Sequence, residues 1–282
     1  MKKEKLTLAF MTMAFITGCS SSDDAENFVV CPVERPISVQ VGTRAAVITT
    51  STLQGFYMYG KDQKYKISRN NDGTWNIDYS SWPSNADDDE EVTFYAYNTD
   101  TSDSYNSNDN YITHIVAEDA FTQKDLLYAQ QTTSYNATGG TGLVSLTFDH
   151  ACAALAISLE MTNTLKNIIG DDNITVTKVM LKNVKDRGHF YLSTKEWTED
   201  ATSTANYTLT NSEIVISSAA TKHFMPCEHL FLIPQDLSAS TIEETYRIGS
   251  KEEKTKITNL AQQLTANKKD TINVKIGTSY NY

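Results

Sequence analysis

The chain has 282 residues, 40% of them hydrophobic, and a formal net charge of −11 from 24 Lys and Arg against 35 Asp and Glu. That length makes about two folded domains, or one large β domain, and the apolar content excludes a wholly disordered chain, while the acidic balance repels phosphate backbones and argues against a nucleic-acid partner. Five His and four Cys are few from which to build a metal or catalytic centre, and 15 Tyr with only 5 Pro lean toward β structure.

Lys2, Lys3 and Lys5 precede the apolar run Leu6–Ile16, and Thr17, Gly18 and Cys19 follow it. A charged start, a short apolar stretch and small residues before a cut make residues 1–18 a signal peptide, too short to stay as a membrane-spanning helix. Ile16-Thr17-Gly18-Cys19 resembles a bacterial lipobox, which implies diacylglycerol on the Cys19 thiol and an anchor in a membrane the chain does not cross. Ser20 after the Cys is compatible with sorting to the outer membrane, and Ser20–Asp24 resembles the acidic tether of surface-exposed lipoproteins. The body that remains carries 21 basic against 34 acidic residues, and with Cys19 lipidated only Cys31, Cys152 and Cys227 are left, so at most one intramolecular disulfide can form.

From Val39 onward the apolar period is two. Val39–Val41, Ala45–Thr50, Phe56–Tyr59, Tyr65–Ser68, Thr74–Ile77 and Val92–Tyr97 predict short strands, and Asn71-Asp72-Gly73 predicts a hairpin turn in which Gly supplies positive φ. Asn85–Glu91 and Asn98–Asn110 predict exposed loops, the second long enough to be mobile. Asp125–Ala129 and the long run Leu143–Leu159 follow. Leu146 and Phe148 share one parity while Leu155, Ile157 and Leu159 share the other, which predicts a bulge or bend within Asp149–Ala154. Met161–Gly170 predicts a helical turn or loop. Further strands are expected at Ile174–Leu181, Phe190–Leu192, Tyr207–Leu209, Glu213–Ile216, His229–Ile233, Thr245–Ile248 and Ile272–Ile276. Ile257–Leu264 alone has helical spacing.

Phe94–Tyr97, Lys124–Ala129, Phe148–Ala151 running on to Leu159, Val179–Val184 and Leu232-Ile233-Pro234-Gln235 stand in the order of the fimbrillin-like family, which this chain resembles over roughly residues 40–276. The resemblance implies an all-β fold of two β-sandwich domains of transthyretin-like topology in tandem. It divides the chain into a signal peptide over 1–18, a tether and removable first-strand propeptide over 19–44, an N-terminal sandwich over 45–165 and a C-terminal sandwich over 166–282. It implies a non-enzymatic, structural and adhesive subunit of surface fimbriae, carried to the outer membrane by its lipid and cut there by an Arg-specific protease. The groove vacated by the first strand is then filled by a strand from another fimbrial subunit, which is β-augmentation. On this sequence the removable strand is Pro36–Val41 with Ile37, Val39 and Val41, and the processing bond is Arg44-Ala45. Arg35 is a poor rival because Pro36 follows it. Stalk subunits of the family continue past the final strand into donor strands, whereas here Gly277–Tyr282 alone follow Ile276, so a tip or other terminal position is expected. The alternative is a lipoprotein that stays anchored through Cys19 and binds a glycan or host protein through exposed Tyr and Trp.

Candidate chemistry is thin. Asp149 beside His150 is the nearest suggestion of a catalytic dyad, but adjacent strand residues point to opposite faces. Cys152 reads as a small buried apolar group. His223, Cys227 and His229 offer soft ligands within seven residues but no fourth ligand, and Asp87-Asp88-Asp89 lacks the spacing of a calcium loop. Asp270-Thr271-Ile272 resembles a bacterial O-glycosylation acceptor. No metal, cofactor or catalytic residue is therefore assigned.

Overall fold

A computed structural model describes residues 35–43, 53–98 and 103–277. Cys19, Arg44, Ala45 and the run Ala45–Thr50 lie outside the described residues. In chain order the first strands are β1 (Ser38–Thr43), β2 (Gly55–Gly60), β3 (Gln63–Arg69), β4 (Trp75–Ile77), β5 (Val92–Asn98), β6 (Ser104–Asn106), β7 (Tyr111–Ile115), β8 (Leu127–Thr133), β9 (Leu143–His150) and β10 (Ala153–Met161). After α1 (Asn163–Ile169) come β11 (Ile174–Lys185), β12 (Arg187–Tyr191), β13 (Glu196–Glu199), β14 (Thr204–Thr208), β15 (Ile214–Ile216), β16 (Lys222–Phe224), β17 (Leu230–Leu232), β18 (Thr241–Ile248), β19 (Lys254–Asn259) and β20 (Lys269–Ile276). The chain is all-β, and among the described residues no helix is long and apolar enough to cross a membrane.

Local chemistry accounts for the joints. Between β3 and β4, Gly73 takes φ +87°, Asn70 N–H donates to the Thr74 carbonyl at 2.8 Å, and Asp72 accepts from Thr74 N–H at 2.9 Å. The parity switch in Leu143–Leu159 is a change of sheet: β9 buries Val144, Leu146 and Phe148, Ala151 and Cys152 break the ladder, and β10 buries Leu155, Ile157 and Leu159 in a different core. Thr162 caps α1 by accepting from Leu165 N–H at 3.2 Å, and Gly170 ends it.

A seven-stranded sheet in the order β1-β9-β8-β5-β2-β3-β4 carries the first core on one face, including Phe56, Tyr65, Phe94, Leu146 and Phe148. The second core lies between β10 with its partners β16, β17 and β20, and the sheet of β11, β14, β15, β18 and β19. A fourth sheet, β13-β12-β7-β6, joins strands from either side of residues 165 and 166. It closes a third cluster, with Tyr97, Ile112, Leu126, Phe190 and Leu192, over the outer face of the seven-stranded sheet.

Two expectations are corrected. Ile257–Leu264 is not helical: residues 254–259 form β19, paired antiparallel with β18, and Ile257, the first residue of the apparent stripe, is 61% exposed. Lys256 and Thr258 are the half-buried positions, so the true period is two. Nor is Asn98–Asn110 a plain loop. Asn98 is the last residue of β5 and is buried, donating to the Asp125 carbonyl and accepting from Leu127 N–H, both at 2.9 Å, while residues 104–106 pair with β7.

Candidate functional site

The described site is the seat of the first strand. β1 lies at the edge of the seven-stranded sheet and, among the described residues, has one neighbour, β9, with which it runs parallel from Ser38 opposite Leu143 to Thr43 opposite Phe148. The other contacts between neighbours in that sheet are antiparallel, and a parallel pair is slightly less stable per residue. Period two puts Ile37, Val39 and Val41 on the core face. Ile37 is buried, and Val39 and Val41 are half-buried against the cluster that holds Phe56, Val144, Leu146 and Phe148.

The hold on this segment is concentrated ahead of the strand. Ile37 N–H donates to the Ser80 carbonyl at 2.9 Å, Trp82 N–H donates to the Arg35 carbonyl at 2.7 Å, and Ser38 N–H donates to the Gly142 carbonyl at 3.1 Å. The Arg35 guanidinium donates to the carbonyls of Ala86 (2.6 Å), Pro83 (3.2 Å) and Ser84 (3.3 Å) and to Asp88 Oδ1 (3.0 Å). Gly142, at φ +62°, is where a β-carbon would run into the Pro36 backbone. Taking β1 away uncovers one edge of β9 and a row of apolar side chains, a vacancy shaped for another extended chain.

A second constellation lies where the chain passes from β9 to β10. Cys152 Sγ is 3.7 Å from His114 Nε2, and His114 Nδ1 is 2.8 Å from Asp103 Oδ1. His150 Nδ1 pairs with Asp125 Oδ2, and Cys152 N–H donates to Asp125 Oδ1 at 3.3 Å. His150 thus finds its carboxylate on Asp125 rather than on its neighbour Asp149. The order Cys-His-Asp is that of a thiol nucleophile, but Cys152 and His114 are buried, and burial pushes the Cys152 thiol well up, with Asp125 adding to it. An activated cysteine needs a lowered pKa and access, so this is a structural clasp. No local motif announces it, because its members are far apart in sequence. Among the described residues no group of three or more His, Cys, Asp or Glu is placed to hold a metal ion. Cys227 is half-buried, and burial raises its thiol as well.

The fimbrillin-like family model matches residues 36–281. The chain belongs to the fimbrillin-like family. Its fold is similar to that of a fimbrial protein from Bacteroides vulgatus, with TM-score 0.57 and 16% identity over 85% of this chain and 95% of that one. It is also similar to a candidate cell adhesion protein from Bacteroides ovatus, with TM-score 0.52 and 16% identity over 86% of this chain and 92% of that one. No curated protein matches the chain. Membership in a family of fimbrial proteins agrees with a site that offers an edge and an apolar seat rather than an activated nucleophile.

Proposed function

We propose that this fimbrillin-like chain is the precursor of a surface fimbrial subunit that assembles by exchanging its first strand. The precursor is a lipoprotein carried to the outer membrane on the lipid at Cys19. An Arg-specific surface protease cuts Arg44-Ala45, the segment with Ile37, Val39 and Val41 departs, and a strand from another subunit takes its place on β9. The tandem reading, with transthyretin-like sandwiches over 45–165 and 166–282, belongs to the same proposal. The observation that carries it is the seat of β1: among the described residues, one neighbour, parallel pairing, and Ile37 as the one fully buried side chain of the segment.

A terminal place in the fibre, such as the tip, is supported by β20. That strand pairs with β10 along all eight of its residues and buries Val274 and Ile276 in its own core, so it is occupied at home rather than free to donate. N-terminal sequencing of protein sheared from the producing cell tests the processing step. Ala45 as first residue supports it, and lipidated Cys19 on the assembled protein overturns it. Immunogold label confined to fibre ends is expected for a terminal subunit, and label along the shaft would refute that position.

A further inference from the structure

The outer face of the seven-stranded sheet carries tyrosines in rows across the strands. Register places Lys66, Tyr57, Tyr97 and Tyr128 side by side on β3, β2, β5 and β8, and Lys64, Tyr59, Tyr95 and Gln130 in the next row. The fourth sheet covers one end: Tyr97 is buried, and Tyr128 lies 4.7 Å from Phe190. Tyr57, Tyr59 and Tyr95 are half-buried, packed at the margin of the third cluster with part of each side chain left open, and Tyr105 lies 4.1 Å from Tyr59. The exposed Lys64 ammonium sits 4.0 Å above the Tyr57 ring and 5.7 Å from that of Tyr59, which brings the positive charge and the tyrosines to one place on the sheet. Among the described residues neither the Lys64 nor the Lys66 ammonium is paired with a carboxylate, the nearby Asp78 carboxylate accepting instead from Lys66 N–H at 2.7 Å, although the chain carries eleven more acidic than basic residues and Lys61 nearby is paired with Glu90 at 2.6 Å.

We propose that Tyr57, Tyr59 and Tyr95 with Lys64 and Lys66 form a binding platform for a carboxylate-bearing sugar. A pyranose ring has an apolar C–H face and a hydroxylated rim, and it matches a surface of partly exposed aromatic side chains that are apolar in the ring and polar at the hydroxyl. Rigid aromatic groups lose little conformational freedom on binding. The two lysines supply what a neutral sugar would not need: a local positive field on an acidic molecule, complementary to a uronic or sialic acid carboxylate. The inference deepens the adhesive reading above, but the platform is complete in the uncut chain and requires neither cleavage at Arg44 nor assembly.

Binding of the full chain to oligosaccharides ending in glucuronate, galacturonate or N-acetylneuraminate, with lactose as neutral control, tests the proposal by calorimetry. At least one acidic sugar is expected to bind ten-fold or more tightly than lactose, with affinity falling as salt is raised. Lys64→Ala with Lys66→Ala should abolish that preference, and Tyr57→Leu should weaken binding several-fold while the circular dichroism spectrum is unchanged. Absence of binding to all three acidic sugars overturns the platform, as does equal binding of lactose or of a poly-glutamate peptide. Failure of Arg44 processing leaves these outcomes untouched, so the two proposals fail separately.

Discussion

Two strands close the molecule in the same way and are held very differently. β1 adds in parallel to β9, β20 adds in parallel to β10, and β9 and β10 are consecutive in the chain. β20 is bound along its whole length: Ala154 N–H donates to the Lys268 carbonyl at 2.9 Å at one end, and Thr162 N–H donates to the Ile276 carbonyl at 3.1 Å at the other. In the middle, Asn273 bonds Ser158 Oγ at 3.2 Å and donates to Glu160 at 2.5 Å. Val274 and Ile276 are fully in the core, whereas the described apolar side chains of β1, Val39 and Val41, are half-buried, and its fixed end lies ahead of it at Arg35–Ile37. The backbone ladder is of the same kind in both, so the difference between the two strands lies in side-chain burial and in where the anchors sit.

The sharpest test of that contrast is a carboxylate in each strand. Ile276→Asp places an unpaired charge in the second core and should cost about 4 kcal/mol or more, enough to unfold it. Val41→Asp, at a half-exposed edge position, should cost about 1 kcal/mol and leave the fold intact. Urea unfolding followed by circular dichroism reads both. Equal losses would show that the two edges are equivalent after all.

Next in size is a pH effect confined to the second core. Glu244, fully buried on β18, has Oε1 3.7 Å from Lys256 Nζ and no partner for Oε2, and burial pushes its pKa up from the usual 4.5 to about 7. The folded state therefore favours the protonated acid. Its stability is complete below pH 4.5, falls as pH rises through about 7, and is level above that. At about 1.4 kcal/mol per pH unit the loss is on the order of 3 kcal/mol. Glu244→Gln should then stabilise the protein by up to that amount at pH 8 and by nearly nothing at pH 4. A variant whose advantage does not depend on pH would show that the carboxyl is not protonated on folding.

The strands themselves were legible wherever one face is buried. Alternation in Phe56–Tyr59, Val92–Tyr97 and Ile174–Leu181 marks β2, β5 and β11, and the parity switch after Phe148 marks the change of core. Edge strands were not. β19 exposes its one large apolar residue, Ile257, so its pattern carries no core signal, and Leu260 and Leu264 beyond it, buried in the second core, supply a false helical stripe. Long-range side-chain pairs were equally invisible. His150 suggests Asp149 by proximity in sequence, while its partner Asp125 is brought in by the pairing of β8 with β9. Ile37, Val39 and Val41 show the converse: their alternation is plain, but that their strand has a single neighbour among the described residues is a property of the sheet.

A smaller perturbation separates the anchor from the strand. Gly142→Ala puts a β-carbon against the Pro36 backbone at a residue with φ +62°, so the segment 35–37 must lift or Gly142 must leave its left-handed conformation. The expected cost is about 2 kcal/mol. Hydrogen exchange should show it at the amides of Ile37 and Ser38, with the β20 amides unchanged. Uniform acceleration through both cores would mean that the first strand is not an independently opening unit.

Arg35→Ala removes four hydrogen bonds to the turn at residues 83–88 without touching the core. The side chain is 19% exposed and its carboxylate partner Asp88 is 53% exposed, so the ion pair itself contributes little, and the larger part comes from the three carbonyls. A net loss of about 1 kcal/mol is expected, read as several-fold faster exchange at the Ile37 amide and, under the proposed cut after Arg44, as more rapid release of residues 35–43. Arg35→Lys keeps the charge but cannot span both Ala86 and Pro83, so it should restore only part of the protection. Full rescue by Lys would mean that charge, rather than the fork of carbonyl contacts, pins the end of the segment that precedes β1.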